Sequence, residues 1–236
     1  MRLIYVRHGE PDYVNDCLTE TGRAQAAMTA KRLSKEKIDA IFSSPMGRAV
    51  ETATYTAKEQ GLEVNKLDFM HEIVWGDRGS SNDYHSENLP YDGHPWTLAY
   101  SLISENPEYA RGDAWKQHHF FKDNKCMDYM DKIADGIDEL LRQYGIERKN
   151  GLYYCKEKND STIALFAHGG SGAIMYTHIL NLPFTYVLTS MTYGVCSVSV
   201  IDFECEDSDV IIPRIELFND MRHLGNVKKE SFHFEM

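Results

Sequence analysis

Arg7 and His8 stand side by side in Arg7-His8-Gly9-Glu10, directly behind the apolar run Leu3-Ile4-Tyr5-Val6. A histidine with an unprotonated ring nitrogen is a nucleophile as well as a base, and it can carry a covalent intermediate when something orients it. An arginine beside it offers a planar fork that matches a phosphate. The β-branched and aromatic run predicts a strand that delivers both side chains to a turn. That turn lies at the carboxyl end of the strand, where open α/β sheets hold their ligands. A second apolar run, Ile163-Ala164-Leu165-Phe166-Ala167, breaks into His168-Gly169-Gly170-Ser171-Gly172, and Ala173 to Leu182 reads as a helix stopped before Pro183. His168 therefore sits at another strand-to-helix junction, where the glycines, Gly169 first, let backbone N–H groups approach an anion. In Ile38-Asp39-Ala40-Ile41-Phe42-Ser43-Ser44-Pro45-Met46-Gly47-Arg48, a third strand ends at Ser43-Ser44. Pro45 suits the first turn of the next helix, and Arg48 falls in that turn. Three strand ends thus present Arg7, His8, Arg48 and His168, a set suited to a doubly charged oxyanion.

The elements that must hold these residues alternate. Helical patterns cover about residues 20–34, 46–60, 127–144 and 171–180. In the third, Met127, Met130, Ile133, Ala134, Ile137, Leu140 and Leu141 recur at helical spacing and predict a core-facing stripe. Residues 195–203 and 211–218 read as strands, with Pro213 marking an edge or a bulge in the second. Strands interleaved with helices predict an α/β three-layer sandwich: a mostly parallel central sheet with helices on both faces, in a single domain over residues 1–236. Residues 76–125 differ. They hold Tyr84, Tyr91, Trp96, Tyr100, Tyr109, Trp115, Phe120 and Phe121, with His85, His94, His118 and His119. So many aromatics exclude a disordered linker, and the histidines lack a metal-binding spacing.

The 236-residue length is enough for one sizeable core. With 36 acidic against 25 basic residues, the net charge of −11 disfavours a nucleic-acid-binding surface but permits a local cationic pocket. Cys17, Cys126, Cys155, Cys196 and Cys205 form no Cys-x-x-Cys pair, which reads as reduced thiols in a cytoplasmic protein. No signal-peptide pattern and no membrane-spanning apolar stretch is evident. The oligomeric state, including a homo-oligomer, is left open.

The ordered set of landmarks resembles the histidine phosphatase superfamily, also called the phosphoglycerate mutase-like family. It comprises Arg7-His8-Gly9, Leu18-Thr19-Glu20-Thr21-Gly22-Arg23-Ala24-Gln25-Ala26, Ser43-Ser44-Pro45-Met46-Gly47-Arg48-Ala49, Glu72, His168-Gly169, and an Asn219 to Leu224 segment with His223. The resemblance implies a lid insertion over the site at about residues 76–125. It also implies that Glu72, in Met70-His71-Glu72-Ile73-Val74-Trp75-Gly76, is the acid that protonates the leaving oxygen and later activates water. The family's Gly-x-Trp-Glu-Gly continuation is missing, since Gly76 is followed by Asp77-Arg78-Gly79, so Asp77 and Glu10 stay in view as alternative acids.

The expectation is a metal-independent, cofactor-free phosphomonoester hydrolase acting on a small phosphorylated metabolite through a phosphohistidine on His8. Arg7, Arg48, His168 and Gly169 would grip the phosphoryl oxygens. A phosphoglycerate mutase-type phosphotransferase is the alternative. Its first motif reads Arg-His-Gly-Glu-Ser-x-Trp-Asn, whereas here Glu10 is followed by Pro11-Asp12-Tyr13-Val14-Asn15. A non-catalytic phospholigand-binding module is less favoured with both histidines, both arginines and Glu72 present. Cys17 to Arg23 satisfies the C-x5-R spacing of cysteine phosphatases, but Glu20 would put a carboxylate inside the anion loop. Asp83-Tyr84-His85 and Gly76-Asp77-Arg78-Gly79 match fragments of two-metal phosphoesterases in the wrong order.

Overall fold

A computed structural model of the chain describes residues 1–76, 78–79, 95–205 and 210–226. In chain order the strands and helices are β1 (Arg2–Arg7), β2 (Pro11–Asp12), β3 (Cys17–Leu18), α1 (Glu20–Leu33), β4 (Ala40–Ser43), α2 (Gly47–Gln60), β5 (Val64–Lys66), α3 (Pro95–Glu105), α4 (His119–Lys122), α5 (Met127–Arg142), β6 (Ile146–Lys149), β7 (Leu152–Cys155), β8 (Thr162–Ala167), α6 (Gly169–Leu180), α7 (Phe184–Ser190), β9 (Val198–Asp202), β10 (Val210–Ile211) and β11 (Arg214–Asp220). The chain divides into two compact units.

The first unit, Met1–Glu72, Ile137–Gly169 and Tyr193–Glu235, holds a six-stranded sheet in the order β11-β9-β1-β8-β4-β5. The pairings β1·β8, β8·β4 and β4·β5 are parallel, while β9 and β11 close one edge antiparallel. Ile4, Val6, Ala164, Phe166, Ile41, Val198 and Val200 pack one face against Leu33 of α1 and Ala53 and Ala57 of α2. On the other face Leu3, Tyr5, Ile163 and Leu165 are equally buried, so neither face meets water. That is the condition under which parallel sheets are found.

The expected helices all form, the first three within two residues of their expected ends, and the last over Gly169–Leu180, earlier than the Ala173 start read from the sequence. The strand expected over residues 211–218 is in fact two: β10 joins the small sheet β10-β7-β6, and β11 forms the bulged edge of the large one. Pro213 lies between them, where it removes a ladder donor and lets the chain change sheets. The hairpin β6–β7 is not among the expected elements. Its two-residue turn is Asn150-Gly151, both at positive φ (51° and 79°), which is the turn chemistry that a tight hairpin demands. The thiol reading also needs correcting, because Cys155 at the end of β7 and Cys205 beyond β9 are joined as a disulfide. Cys17, Cys126 and Cys196 are free thiols.

The second unit, Ile73–Gly136 and Gly170–Thr192, has its own aromatic core. Trp115 lies 4.9 Å from Phe121 and 5.1 Å from Phe184, ring centre to ring centre, and Trp75 stacks on Phe184 at 6.3 Å. The aromatics expected to build a lid therefore pack, in part, on one another. Asp77, Tyr84, His85, Tyr91 and His94 lie outside the described residues.

The turn after β1 is fixed by close approach to α1. A Cβ on Gly22 would lie 2.2 Å from Glu10 O. Gly22 N–H also donates to the hydroxyl of Thr19, the N-cap of α1 (3.0 Å). Gly22→Ala should therefore cost about 1–3 kcal/mol, as overpacking does, read as a lower urea midpoint. A wild-type midpoint would mean that the turn and α1 are not in contact.

Candidate active site

Parallel pairing aligns three carboxyl ends. Arg7 pairs with Ala167 in β8 and Ser43 with Phe166; beyond them His8 N–H donates to Ala167 O (2.9 Å) and Ser44 N–H to Phe166 O (2.8 Å). Arg7-His8, Ser44 and His168-Gly169 thereby come together at the carboxyl ends of three adjacent strands, and Arg48 joins them from the first turn of α2. His8, Arg48 and His168 are all buried. The His8 and His168 rings lie 5.1 Å apart.

His8 Nδ1–H donates to Gly9 O at 2.7 Å, which leaves Nε2 as the nitrogen with a lone pair. Arg48 Nε–H points at that atom from 3.4 Å. Burial, with the charges of Arg7 and Arg48, holds the His8 pKa well below the ordinary histidine value; its bond to Gly9 O opposes this only in part. His8 is a neutral imidazole with a fixed tautomer and an electropositive surround, as a nucleophile toward phosphorus requires.

The two arginines are anchored alike. Arg7 donates from Nη1 to Tyr193 O (2.9 Å), and its buried Nε has no protein partner. Arg48 donates from Nη1 to Asp16 Oδ1 (2.5 Å), with the Tyr13 ring 5.4 Å from its Cζ. Each retains an Nε–Nη2 edge, the geometry that binds two oxygens of one phosphate. Arg48→Lys keeps the charge but loses that edge, so kcat/KM toward a phosphomonoester should fall at least about tenfold. Kinetics close to wild type would place Arg48 outside the working pocket.

His168 is held through Ser44. Ser44 Oγ accepts from Met46 N–H (3.3 Å) and shares a hydrogen bond with His168 Nε2 (2.7 Å). The other ring nitrogen, Nδ1, is buried and without a protein partner. Burial first, then the charges of His8, Arg48, His71 and Arg7, lowers the His168 pKa well below the histidine norm. With its proton on Nδ1, this neutral ring would donate to a phosphoryl oxygen. Gly169 lies against the Arg7 guanidinium, where an added Cβ would come within 3.7 Å of its Cζ.

Glu72 comes after the short turn Asp68–Met70 and is half-buried. Its neighbour His71 donates from Nδ1 to Glu72 O (2.8 Å) and is close enough to His168 to act on its charge. Of the alternative acids, Glu10 accepts the Thr19 hydroxyl at Oε1 (2.7 Å), an engagement that orders the turn, and Asp77 lies outside the described residues. His223 is not among the clustered side chains. Its Nε2 lies 3.1 Å from Cys196 O, and Cys196 N–H donates to Arg7 O (2.9 Å) and His8 O (3.2 Å), so His223 buttresses the turn behind the pair. Burial, then Arg32, lowers its pKa to about 4. The Cys17–Arg23 spacing does not make an anion loop: α1 begins at Glu20, and Arg23 Nε donates to Glu51 (2.8 Å).

Sequence reasoning missed Asp16, Ser44 as the partner of His168, and His71. Ser44 had a signal, as a hydroxyl at a strand end before proline. Asp16 had none, since its partner is 32 residues away.

Residues 3–99 match the model of the histidine phosphatase superfamily (branch 1). The chain is 28% identical over 176 residues to a probable phosphatase of Schizosaccharomyces pombe, covering 70% of this chain and 83% of that one. It is 34% identical over 108 residues to phosphoserine phosphatase 1 of Hydrogenobacter thermophilus, covering 41% of this chain and half of that protein. Among solved structures, the phosphoserine phosphatase of Entamoeba histolytica in complex with 3-phosphoglyceric acid shares the fold: TM-score 0.60, 21% identity, and coverage of 94% of this chain and 98% of that one.

Proposed function

We propose that this chain, whose residues 3–99 match the model of the histidine phosphatase superfamily, is a phosphomonoester hydrolase acting on a small phosphorylated metabolite through a phosphohistidine on His8. The observation that carries this reading is the neutral, tautomer-fixed His8, whose Nε2 lone pair faces Arg48 Nε. Phosphoryl transfer asks mainly for positioning and charge stabilisation. His8 Nε2 attacks phosphorus in line, while the Arg7 and Arg48 edges and the His168 Nδ1–H take up the charge on the equatorial oxygens. The phosphorus–oxygen bond to the leaving group breaks as the phosphorus–nitrogen bond forms, and Glu72 supplies the proton that the leaving alkoxide needs. Water, deprotonated by the same carboxylate, then displaces His8 and releases inorganic phosphate.

Relatives named as phosphoserine phosphatases support a small phosphometabolite as substrate. No described helix is long and apolar enough to cross a membrane. A cytoplasmic location belongs to this reading, and the Cys155–Cys205 bridge is the feature that weighs against it.

The test is release of inorganic phosphate from an aryl phosphate and from phosphoserine, before and after exhaustive chelation with EDTA. Because the positive charge comes from Arg7 and Arg48, with His168 as a neutral hydrogen-bond partner, the rate should survive chelation. Complete loss, restored by a divalent ion, would sink the metal-free mechanism, and transfer of phosphate between glycerate positions without net release would indicate a mutase.

A further inference from the structure

The loop between β2 and β3 is built around two carboxylates, Asp12 and Asp16. Asp12 organises its first half, accepting Val14 N–H (3.0 Å) and Asn15 N–H (3.2 Å) at Oδ1 and Asn15 Nδ2 (2.7 Å) at Oδ2. Asp16 comes next at φ +47°, a left-handed conformation that Asp tolerates better than most residues. Its carbonyl oxygen lies where a Cβ on Gly47 would be (2.1 Å), so the loop rests on the first residue of α2 and requires glycine there. In that position Asp16 Oδ2 accepts Gly47 N–H (2.6 Å), and Oδ1 accepts Arg48 Nη1 (2.5 Å).

A guanidinium is planar, so fixing one nitrogen and one ring contact fixes the whole fork. Asp16 holds Nη1, Tyr13 lies over Cζ, and the edge that remains carries Nε, the atom directed at His8 Nε2. Arg7 receives the equivalent anchor from a backbone carbonyl. We propose that Asp16 is a positioning residue: by holding Arg48 Nη1 it turns the Nε–Nη2 edge toward His8 Nε2, where the phosphoryl group is transferred. This rests on the phosphohistidine mechanism proposed for His8. The rival account is that Asp16 only compensates a buried charge and orders the loop, a contribution to stability alone.

A double-mutant cycle separates the two. Aryl phosphate hydrolysis and the Kd for orthovanadate, a phosphate mimic that reaches five-coordinate geometry, are measured for wild type, Asp16→Ala, Asp16→Asn, Arg48→Ala, the Asp16→Ala/Arg48→Ala double variant and Asp12→Ala. Losing the aim of the fork should lower kcat/KM for Asp16→Ala by on the order of ten- to a hundredfold, since small misplacements of a positioning group carry such penalties. Asp16→Asn, which keeps an acceptor for Nη1, should recover part of it. In the Arg48→Ala background Asp16→Ala should change neither rate nor vanadate affinity more than about twofold, the limit within which uncoupled effects are read. Asp12→Ala loosens the same loop without touching Arg48 and should fall well short of Asp16→Ala. An Asp16→Ala effect of equal size with and without Arg48, a matching effect from Asp12→Ala, or tighter vanadate binding on removal of Asp16 would overturn the proposal. A wild-type chain that turns over no phosphomonoester would count against the functional reading instead, and the vanadate arm would still decide the role of Asp16.

Discussion

A His8→Ala variant should lose turnover altogether, together with any label that a radiolabelled phosphomonoester leaves on the wild-type chain. Arg7, Arg48 and His168 would still bind the phosphate of substrate, but none supplies a neutral nitrogen lone pair directed at phosphorus. The expected adduct is a phosphoramidate, acid-labile and base-stable, which separates it from a phosphoserine and from a thiophosphate on Cys17. Its pH dependence is set by the site. Burial first, then Arg7, holds the His8 pKa well below the histidine norm near ~6.5. The nucleophile stays unprotonated as pH falls to that norm, and label formation should decline only below it. Stability shifts in the same direction. Below the norm the unfolded chain takes up protons at His8 and His168 that the folded chain refuses, so acid erodes stability there as well as rate. Rapid neutral quenching and peptide mapping read the outcome. Label that persisted in His8→Ala, or mapped to Cys17 or His168, would overturn the assignment.

The cluster is legible because each member sits at the end of an apolar run. Leu3 to Val6 and Ile163 to Ala167 are too short and too β-branched or aromatic for surface helices, so Arg7-His8 and His168 have to emerge at strand ends. Parallel pairing in register then puts those ends side by side. What escapes a reading of the sequence depends on distance along the chain. Asp16 reaches Arg48 only because a left-handed turn and the missing side chain of Gly47 let two backbones meet, and neither is encoded in any periodicity. Ser44 becomes the partner of His168 through the β4–β8 register, which a single strand does not disclose. The Cys155–Cys205 bridge joins the end of a hairpin strand to a segment 50 residues on. Cysteine counting does not see that pairing, because it hinges on a hairpin whose one local signal is the Asn150-Gly151 turn.

Glu72→Gln should slow hydrolysis of an alkyl phosphate such as phosphoserine by at least about a hundredfold, the scale on which a positioned proton donor contributes, while leaving a nitrophenyl phosphate far less affected. Glutamine preserves the shape of the side chain but is not an acid, so it cannot pass a proton to the leaving oxygen. A serine alkoxide departs poorly without that proton, whereas a nitrophenolate leaves as the anion. The local structure favours Glu72 for this task. It stands immediately after a tight turn, half-buried, and its carbonyl is held by His71, which lies within electrostatic reach of His168. Glu10 is the weaker candidate, because its carboxylate accepts the Thr19 hydroxyl that fixes the strand-end turn. Removing it should disturb both substrates together. Asp77 is the remaining carboxylate, and Asp77→Asn assayed on the same pair of substrates is the companion measurement. If Glu72→Gln slowed the two substrates equally, Glu72 would be holding the turn. If the selective loss on phosphoserine appeared in Asp77→Asn instead, the proton would come from Asp77, and the reach of His71 toward His168 would have to be explained without a neighbouring acid.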